Sequence, residues 1–233
     1  MIVFRSYGRA LGDCWLSLNY LINLAIEKDE VLRVSLWYIN DRNQIRRVDK
    51  LKEILPLLQY NHFIELGEWE PTEQKTPWDY LSRYPFIPTI TAWSPNNSRK
   101  ICYQFDAKCR KGQKFPSKDI EDKLLCEIGK DYELIRLGHH KTLKQCVEDL
   151  ANCEAFVGVD SGMGNVAASV GTPIFYCQNN RDDYCWKSIH SNKHFVLAKD
   201  YLKTIEHINN YKRLGLEYYD NSRYDRQSDN SQH

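Results

Sequence analysis

Two stretches of this sequence combine residue types and spacing suited to chemistry on a charged small molecule. The first is Asp160-Ser161-Gly162-Met163-Gly164-Asn165, between a valine-rich run and the small residues Ala167-Ala168-Ser169. Glycines in a turn let backbone approach a ligand closely, and consecutive N–H groups opening a helix form a nest for an anion such as a diphosphate. An ordinary capped turn is the other reading of these residues. The second stretch is Gly8-x-x-x-Gly12-Asp13, just before an apolar helical stripe. Its spacing is neither the G-x-G-x-x-G of nicotinamide binders nor the G-x-x-x-x-G-K-[ST] of a P-loop. Asp13 suits two roles: N-cap of the helix that follows, or general base taking a proton from an acceptor hydroxyl. Gly8, Arg9 and Gly12 would form the cleft loop around it.

A basic segment lies between the two: Arg99, Lys100, Lys108, Arg110, Lys111, Lys114 and Lys118. It reads as a solvated face or, at the carboxyl end of a strand, as a source of cations for a leaving diphosphate, with Lys111 and Lys114 best placed. Asp160 and Asp182 are candidates for contacts to a sugar or nucleoside, and Asp182-Asp183 reads equally as a solvated loop. His139, His140, His190 and His194 lack metal-ligand spacing with nearby carboxylates and read as surface or structural. Eight cysteines, at 14, 102, 109, 126, 146, 153, 177 and 185, show no C-x-x-C pair. We expect no metal and no cofactor, and free, mostly buried thiols in a reducing cytoplasm.

The elements that must position these residues follow from periodicity. Residues 1–6 read as a buried strand, and Leu18, Leu21, Ile22 and Ala25 mark an amphipathic helix. Residues 31–39 read as a strand, 46–58 as a helix and 62–66 as a third strand. Five prolines interrupt 67–98, which reads as a connector. The alternation then restarts: strand 101–105; a helix capped by Ser117; strand 132–137; a helix opening near Thr142; strand 155–159; the glycine turn; a short helix over 166–170 closed by Gly171; strand 173–177. An edge strand over 194–198 and a helix over 200–214 with Leu202, Ile205 and Ile208 on one side complete the pattern. The expected division is an N-terminal Rossmann-like half, 1–96, a C-terminal Rossmann-like half, 97–200, a closing helix, 201–216, and a polar tail, 217–233.

Composition sets outer limits. The chain has 233 residues, 42% hydrophobic and 27% charged, which is enough apolar material for a packed core. Its formal net charge of +1 excludes the bulk positive field of a tail-driven nucleic-acid binder, though not a local basic groove. Mean hydropathy is -0.61, and no apolar run reaches the roughly 20 residues of a membrane-spanning helix. The opening residues lack the basic and long apolar regions of a secretory signal.

These motifs together resemble the lipopolysaccharide heptosyltransferases. The opening strand with Gly12-Asp13 and its helix resembles that family's N-terminus. The run F-V-G-V-D-S-G-M-G-N-V-A-A-S-V-G-T-P at 156–173 resembles its nucleotide-sugar turn, D-T-G-x-x-H before small helical residues and a G-x-P strand. Lys114-Phe115-Pro116 resembles its K-R-W-P segment. The family's histidine is Asn165 here and its threonine is Ser161. The resemblance implies a type-B glycosyltransferase fold: two Rossmann-like halves facing across a cleft, acceptor in the N-terminal half, donor in the C-terminal half, and no obligatory metal. It implies Asp13 as catalytic base, Lys111 or Lys114 near the donor phosphates, and Ser161, Gly162, Met163 and Gly164 as the phosphate-binding turn.

The expected function is therefore inverting sugar transfer from a nucleotide-diphosphate sugar to the hydroxyl of a saccharide, a protein or a modified nucleic-acid base. A non-catalytic nucleotide or nucleotide-sugar binding module on the same fold is the alternative. A flavodoxin-like or dehydrogenase-like domain fits less well, because the pattern restarts after residue 98.

Overall fold

The computed structural model describes residues 3–5, 11–35, 37–39, 45–47, 50–67, 69, 98–106, 115–179 and 193–214. The first part of the chain contains β1 (Val3–Arg5), α1 (Leu11–Lys28), β2 (Leu32–Ser35), β3 (Trp37–Ile39), β4 (Ile45–Arg47), α2 (Lys50–Ile54) and β5 (Ile64–Gly67). Strands β1, β2 and β5 form a parallel three-stranded sheet in that order, with Phe4 opposite Val34 and Val34 opposite Leu66. The run expected as one strand over 31–39 is two: β3 leaves the parallel sheet and pairs antiparallel with β4. Residues 46 and 47, expected to open a helix, are therefore part of strand β4. The helical part of 46–58 shrinks to α2 and the 3-10 turn Leu55–Leu57, where Pro56 cannot donate to a continuing α-helix.

The second part is the larger. It contains β6 (Lys100–Gln104), α3 (Lys118–Ile128), β7 (Glu133–Arg136), α4 (Leu143–Ala151), β8 (Ala155–Gly158), α5 (Gly162–Val170), β9 (Ile174–Gln178), β10 (Lys193–Leu197) and α6 (Leu202–Leu214). Its five strands are all parallel, in the order β10-β9-β8-β6-β7. Side chains alternate between two core layers as the pleat demands. Ile101, Ala155, Val157, Phe175 and Cys177 pack with Leu124 and Ile128 of α3 and Ile208 of α6. Cys102, Phe156, Ile174 and Tyr176 lie in the other layer, with Val147 and Leu150 of α4 and Val166 and Ala167 of α5. Helices on both faces make this a doubly wound sheet, which explains why its inner strands β8 and β9 are almost wholly apolar.

The expected caps of α3 and α4 are present. Ser117 Oγ accepts from the Ile120 amide at 3.4 Å, and Thr142 and Gln145 form a reciprocal capping box. Gly171 closes α5 at φ 87°, in the left-handed region that favours glycine. On α6 the buried positions are Thr204 and Ile208, while Leu202 is exposed rather than core-facing. Five described cysteines are free thiols, four of them buried. Among the described residues no helix is long and apolar enough to cross a membrane.

Helix α1 departs most from its amphipathic reading. Leu18, Leu21, Ile22 and Ala25 are buried as expected, but so are Trp15, Tyr20, Asn23 and Leu24. A surface helix shows an apolar stripe and a polar back; the unbroken buried run over 20–25 requires a second cover. The cover is α5. α1 shares one continuous core with Leu32, Val34 and Ile64 of its own sheet and with Met163, Val166 and Ala167 of α5. The indole N–H of Trp15 donates to Ser169 Oγ, and the Ser169 hydroxyl donates to the Asn165 carbonyl at 3.0 Å. This buried serine is thus satisfied in both directions. Trp15→Phe should cost about 1 kcal/mol through the lost hydrogen bond, and Trp15→Ala roughly 3–5 kcal/mol through the cavity. Denaturant unfolding of each variant measures both, and an unchanged midpoint for Trp15→Ala would refute this packing.

A second buried group sets a pH limit. His194, expected as surface or structural, is structural: it stacks on Phe175 with ring centroids 5.0 Å apart and on His207 at 5.5 Å. Burial, and then the neighbouring His207, push its pKa from 6.5 down to about 4. His207 is itself shifted down by burial, against the attraction of Glu206. Between pH 6.5 and about 4 the unfolded chain binds a proton that folded His194 refuses. The stability tied to neutral His194 is therefore complete above pH 6.5 and is lost as the pH falls toward 4, to the extent of roughly 3 kcal/mol. His194→Phe, which keeps the stacking, should flatten this part of the stability–pH curve measured by denaturant unfolding.

Candidate functional site

The strand order reverses between β6 and β8. β7, next in sequence after β6, lies to one side of it and β8 to the other, so the crevice beyond the carboxyl ends of β6 and β8 is a topological switch point, where open α/β sheets bind ligands. The glycine-rich segment begins there, two residues after β8 ends. Gly158 closes the gap between the two strands, since a Cβ on it would run into the Gln104 carbonyl.

The segment is not a free turn followed by a helix. α5 already begins at Gly162, so Gly162, Met163 and Gly164 are its first three helical positions and Ser161 is its N-cap. Their amides have no acceptor within the helix, because the first intrahelical bond runs from the Asn165 amide to the Ser161 carbonyl at 3.2 Å. Ser161 is extended, with φ -153° and ψ 176°, and its side chain does not cap. Its hydroxyl instead donates to Gln104 Oε1 at 3.3 Å. The Asp160 amide donates to Gln178 Oε1 at 3.0 Å. Gln104 and Gln178 end the two strands flanking β8, and both are buried.

The two glycines of α5 do not share one purpose. A Cβ on Gly164 would fall on the Tyr176 hydroxyl, with ring carbon Cζ 2.8 Å away, so this glycine permits close packing of helix on strand. Met163 belongs to the core and offers a ligand only backbone. Asp160, Ser161 and Asn165 are half-buried at the edge of the crevice. At the neighbouring strand ends Arg136 Nη2 donates to Asp106 Oδ2 at 2.9 Å in an exposed pair. Asn179, directly after β9, donates to the carbonyl of Phe115, the residue that follows Lys114.

Asp13 is the third residue of α1, inside its first turn rather than at its N-cap, because the helix starts three residues earlier than the capped reading requires; Gly12 precedes it. Gly8, Arg9, Lys111, Lys114 and Asp182 lie outside the described residues, as do Asp183 and His190. His139 and His140 are exposed. Among the described residues no group of three or more His, Cys, Asp or Glu could hold a metal ion. Gln104, Gln178 and Asn179 carry polar contacts at this edge that motif reading missed. Their signal was a polar residue ending an otherwise apolar strand, I-C-Y-Q and I-F-Y-C-Q.

No protein-family model matches the chain, and no curated protein matches it in sequence. Solved structures do match in fold. The ADP-heptose lipopolysaccharide heptosyltransferase II of E. coli superposes with a TM-score of 0.55 at 9% identity, over 91% of this chain and 100% of that one. The iron-containing dodecameric glycosyltransferase TibC of enterotoxigenic E. coli H10407 gives 0.51 at 14% identity, over 76% of this chain and 57% of that one. A glycosyl transferase of family 9 from Veillonella parvula gives 0.50 at 9% identity, over 89% and 88%. The chain thus has the α/β fold of these glycosyltransferases, and its likeness to the heptosyltransferases holds at the level of fold.

The packing role of Gly164 is directly testable. Gly164→Ala should destabilise the chain by about 1–3 kcal/mol through overpacking. Adding Tyr176→Phe, which removes the hydroxyl from that position, should recover part of the loss in thermal and denaturant unfolding. If Gly164→Ala unfolds like the wild type, the helix does not lie this close to the strand.

Proposed function

We propose that this chain is an inverting glycosyltransferase that moves a sugar from a nucleotide-diphosphate sugar to an acceptor hydroxyl without a metal ion. One observation carries the reading: in a glycosyltransferase fold, at the switch point of the larger sheet, α5 opens with first-turn amides that its N-cap serine does not cover. Amides and helix dipole together favour an anion there. The donor diphosphate sits on Ser161, Gly162, Met163 and Gly164, with Asn165 beside it as a neutral hydrogen-bonding group. Asp160 and Asp182 contact the donor's sugar or nucleoside.

In this reading the donor occupies the half at 97–200 and the acceptor the half at 1–96, near Gly8, Arg9 and Gly12. Asp13 removes the acceptor hydroxyl proton as that oxygen attacks the anomeric carbon. The bond from the anomeric carbon to the diphosphate oxygen breaks, and the nucleoside diphosphate leaves with the bonding electrons. The amides of α5 and Lys111 or Lys114 stabilise the charge that develops on the leaving oxygen, the electrostatic role a metal ion plays elsewhere. The acceptor is a saccharide, a protein or a modified nucleic-acid base.

A second reading, a binding module for a nucleotide or nucleotide sugar without turnover, draws on Asn165, which stands where the family that this sequence resembles has histidine and which can hydrogen-bond but cannot carry charge.

Thermal shift with ADP, UDP, GDP and CDP tests the donor site. At least one nucleoside diphosphate should raise the melting temperature, by the same amount with Mg²⁺ or with chelator, because a ligand selective for the folded state stabilises it. No shift with any of the four would overturn the donor assignment. Asp13→Ala then separates the readings. An enzyme should lose on the order of 10²–10⁴-fold in transfer rate while its nucleotide affinity is unchanged. A binding module should release no nucleoside diphosphate from a nucleotide sugar before or after the substitution.

A further inference from the structure

The N-cap hydroxyls of the larger half behave in two ways. Ser117 turns its oxygen onto the amides of α3, and Thr142 does so on α4. Ser161, the same kind of residue in the same kind of position, does not. The local difference is Gln104. Its carboxamide oxygen accepts the Ser161 hydroxyl proton at 3.3 Å, from the last residue of the adjacent strand. Gln104 is nearly buried and reaches Ser161 from beneath the crevice, while its Nε2 faces Gly138 across the neighbouring loop. With its oxygen turned toward Gln104, the Ser161 side chain makes no cap hydrogen bond to the amides of its own helix.

We propose that Gln104 is a positioning residue that holds the Ser161 hydroxyl off the amino terminus of α5 and so keeps the first-turn amides available to the donor diphosphate. The inference rests on the donor-site reading above. Gln178 completes the arrangement from the opposite strand. By accepting from the Asp160 amide at 3.0 Å it fixes the residue before the cap. The arrangement forgoes a cap that ordinarily stabilises a helix in exchange for an anion seat. A helix opened in this way gains stability when the brace is removed, which a merely structural hydrogen bond does not do.

The test uses Gln104→Met in the full chain, which keeps the side-chain length and removes the acceptor. Melting temperature is measured alongside the affinities of ADP, UDP, GDP and CDP and of their parent nucleosides by calorimetry. The expected result is an unchanged or higher melting temperature, diphosphate binding about tenfold weaker, and nucleoside binding within twofold of the wild type. The double variant Gln104→Met with Ser161→Ala should bind diphosphate more tightly than Gln104→Met alone, because it removes the hydroxyl that had moved onto the amides and keeps the Ser161 backbone on which the donor sits. Gln104→Asn, whose shorter amide cannot reach Ser161, should reproduce the single variant and serves if Gln104→Met does not fold. A lower melting temperature with unchanged diphosphate binding would overturn the proposal, as would equal losses for diphosphates and nucleosides. Failure of the wild type to bind any of the four diphosphates would overturn the donor-site reading and this inference with it.

Discussion

The rest of the structure depends on how α1, a helix of 18 residues against a sheet with three described strands, covers its second side. It does so by burying its second side against α5 of the larger half. The requirement falls on α5, whose middle is Ala167, Ala168 and Ser169. Small side chains let two helices approach closely, and the one polar member takes the Trp15 indole proton while giving its own to Asn165. The small-residue run that invites a ligand reading is in its central part an interface between two halves of the chain.

The amino end of the same helix is under a different constraint. β8 is squeezed between β6 and β9, and the glycines at 158 and 164 are the absence of side chains where a carbonyl and a tyrosine hydroxyl must pass. These glycines serve close packing, as the third glycine of a dinucleotide fingerprint does in other α/β folds. What remains for a ligand is backbone: the opening amides of α5, aimed from a helix whose frame is held on one side by the larger sheet and on the other by α1. Rigid support of this kind gives a site its precision.

The crevice also holds the departures from local rules that accompany function in stable folds. Two glutamines are buried at strand ends where apolar residues would pack more simply. An N-cap serine is present but turned aside, while α3 and α4 keep theirs. Both departures converge on residues 160 and 161, at the one place in the larger sheet where the strand order reverses. His194, by contrast, is a polar group in the core without any link to this edge, and is explained by stacking on Phe175.

Periodicity and turn chemistry were enough to read the parallel alternation of the larger half, the caps at Ser117 and Thr142 and the glycine stop at Gly171, because each is set by residues within a few positions of one another. They failed where a distant partner overrides a local preference. Residues 45–47 became strand by pairing with 37–39, and α1 buries Trp15 against a serine 154 residues away in sequence. The glutamines at 104 and 178 gave no local sign of bracing 160 and 161, since β6, β8 and β9 become neighbours only once the sheet is assembled. A capping hydroxyl finds its own helix through sequence proximity; whether a buried amide from another strand takes that hydroxyl first is a matter of through-space geometry, which no short window of residues contains.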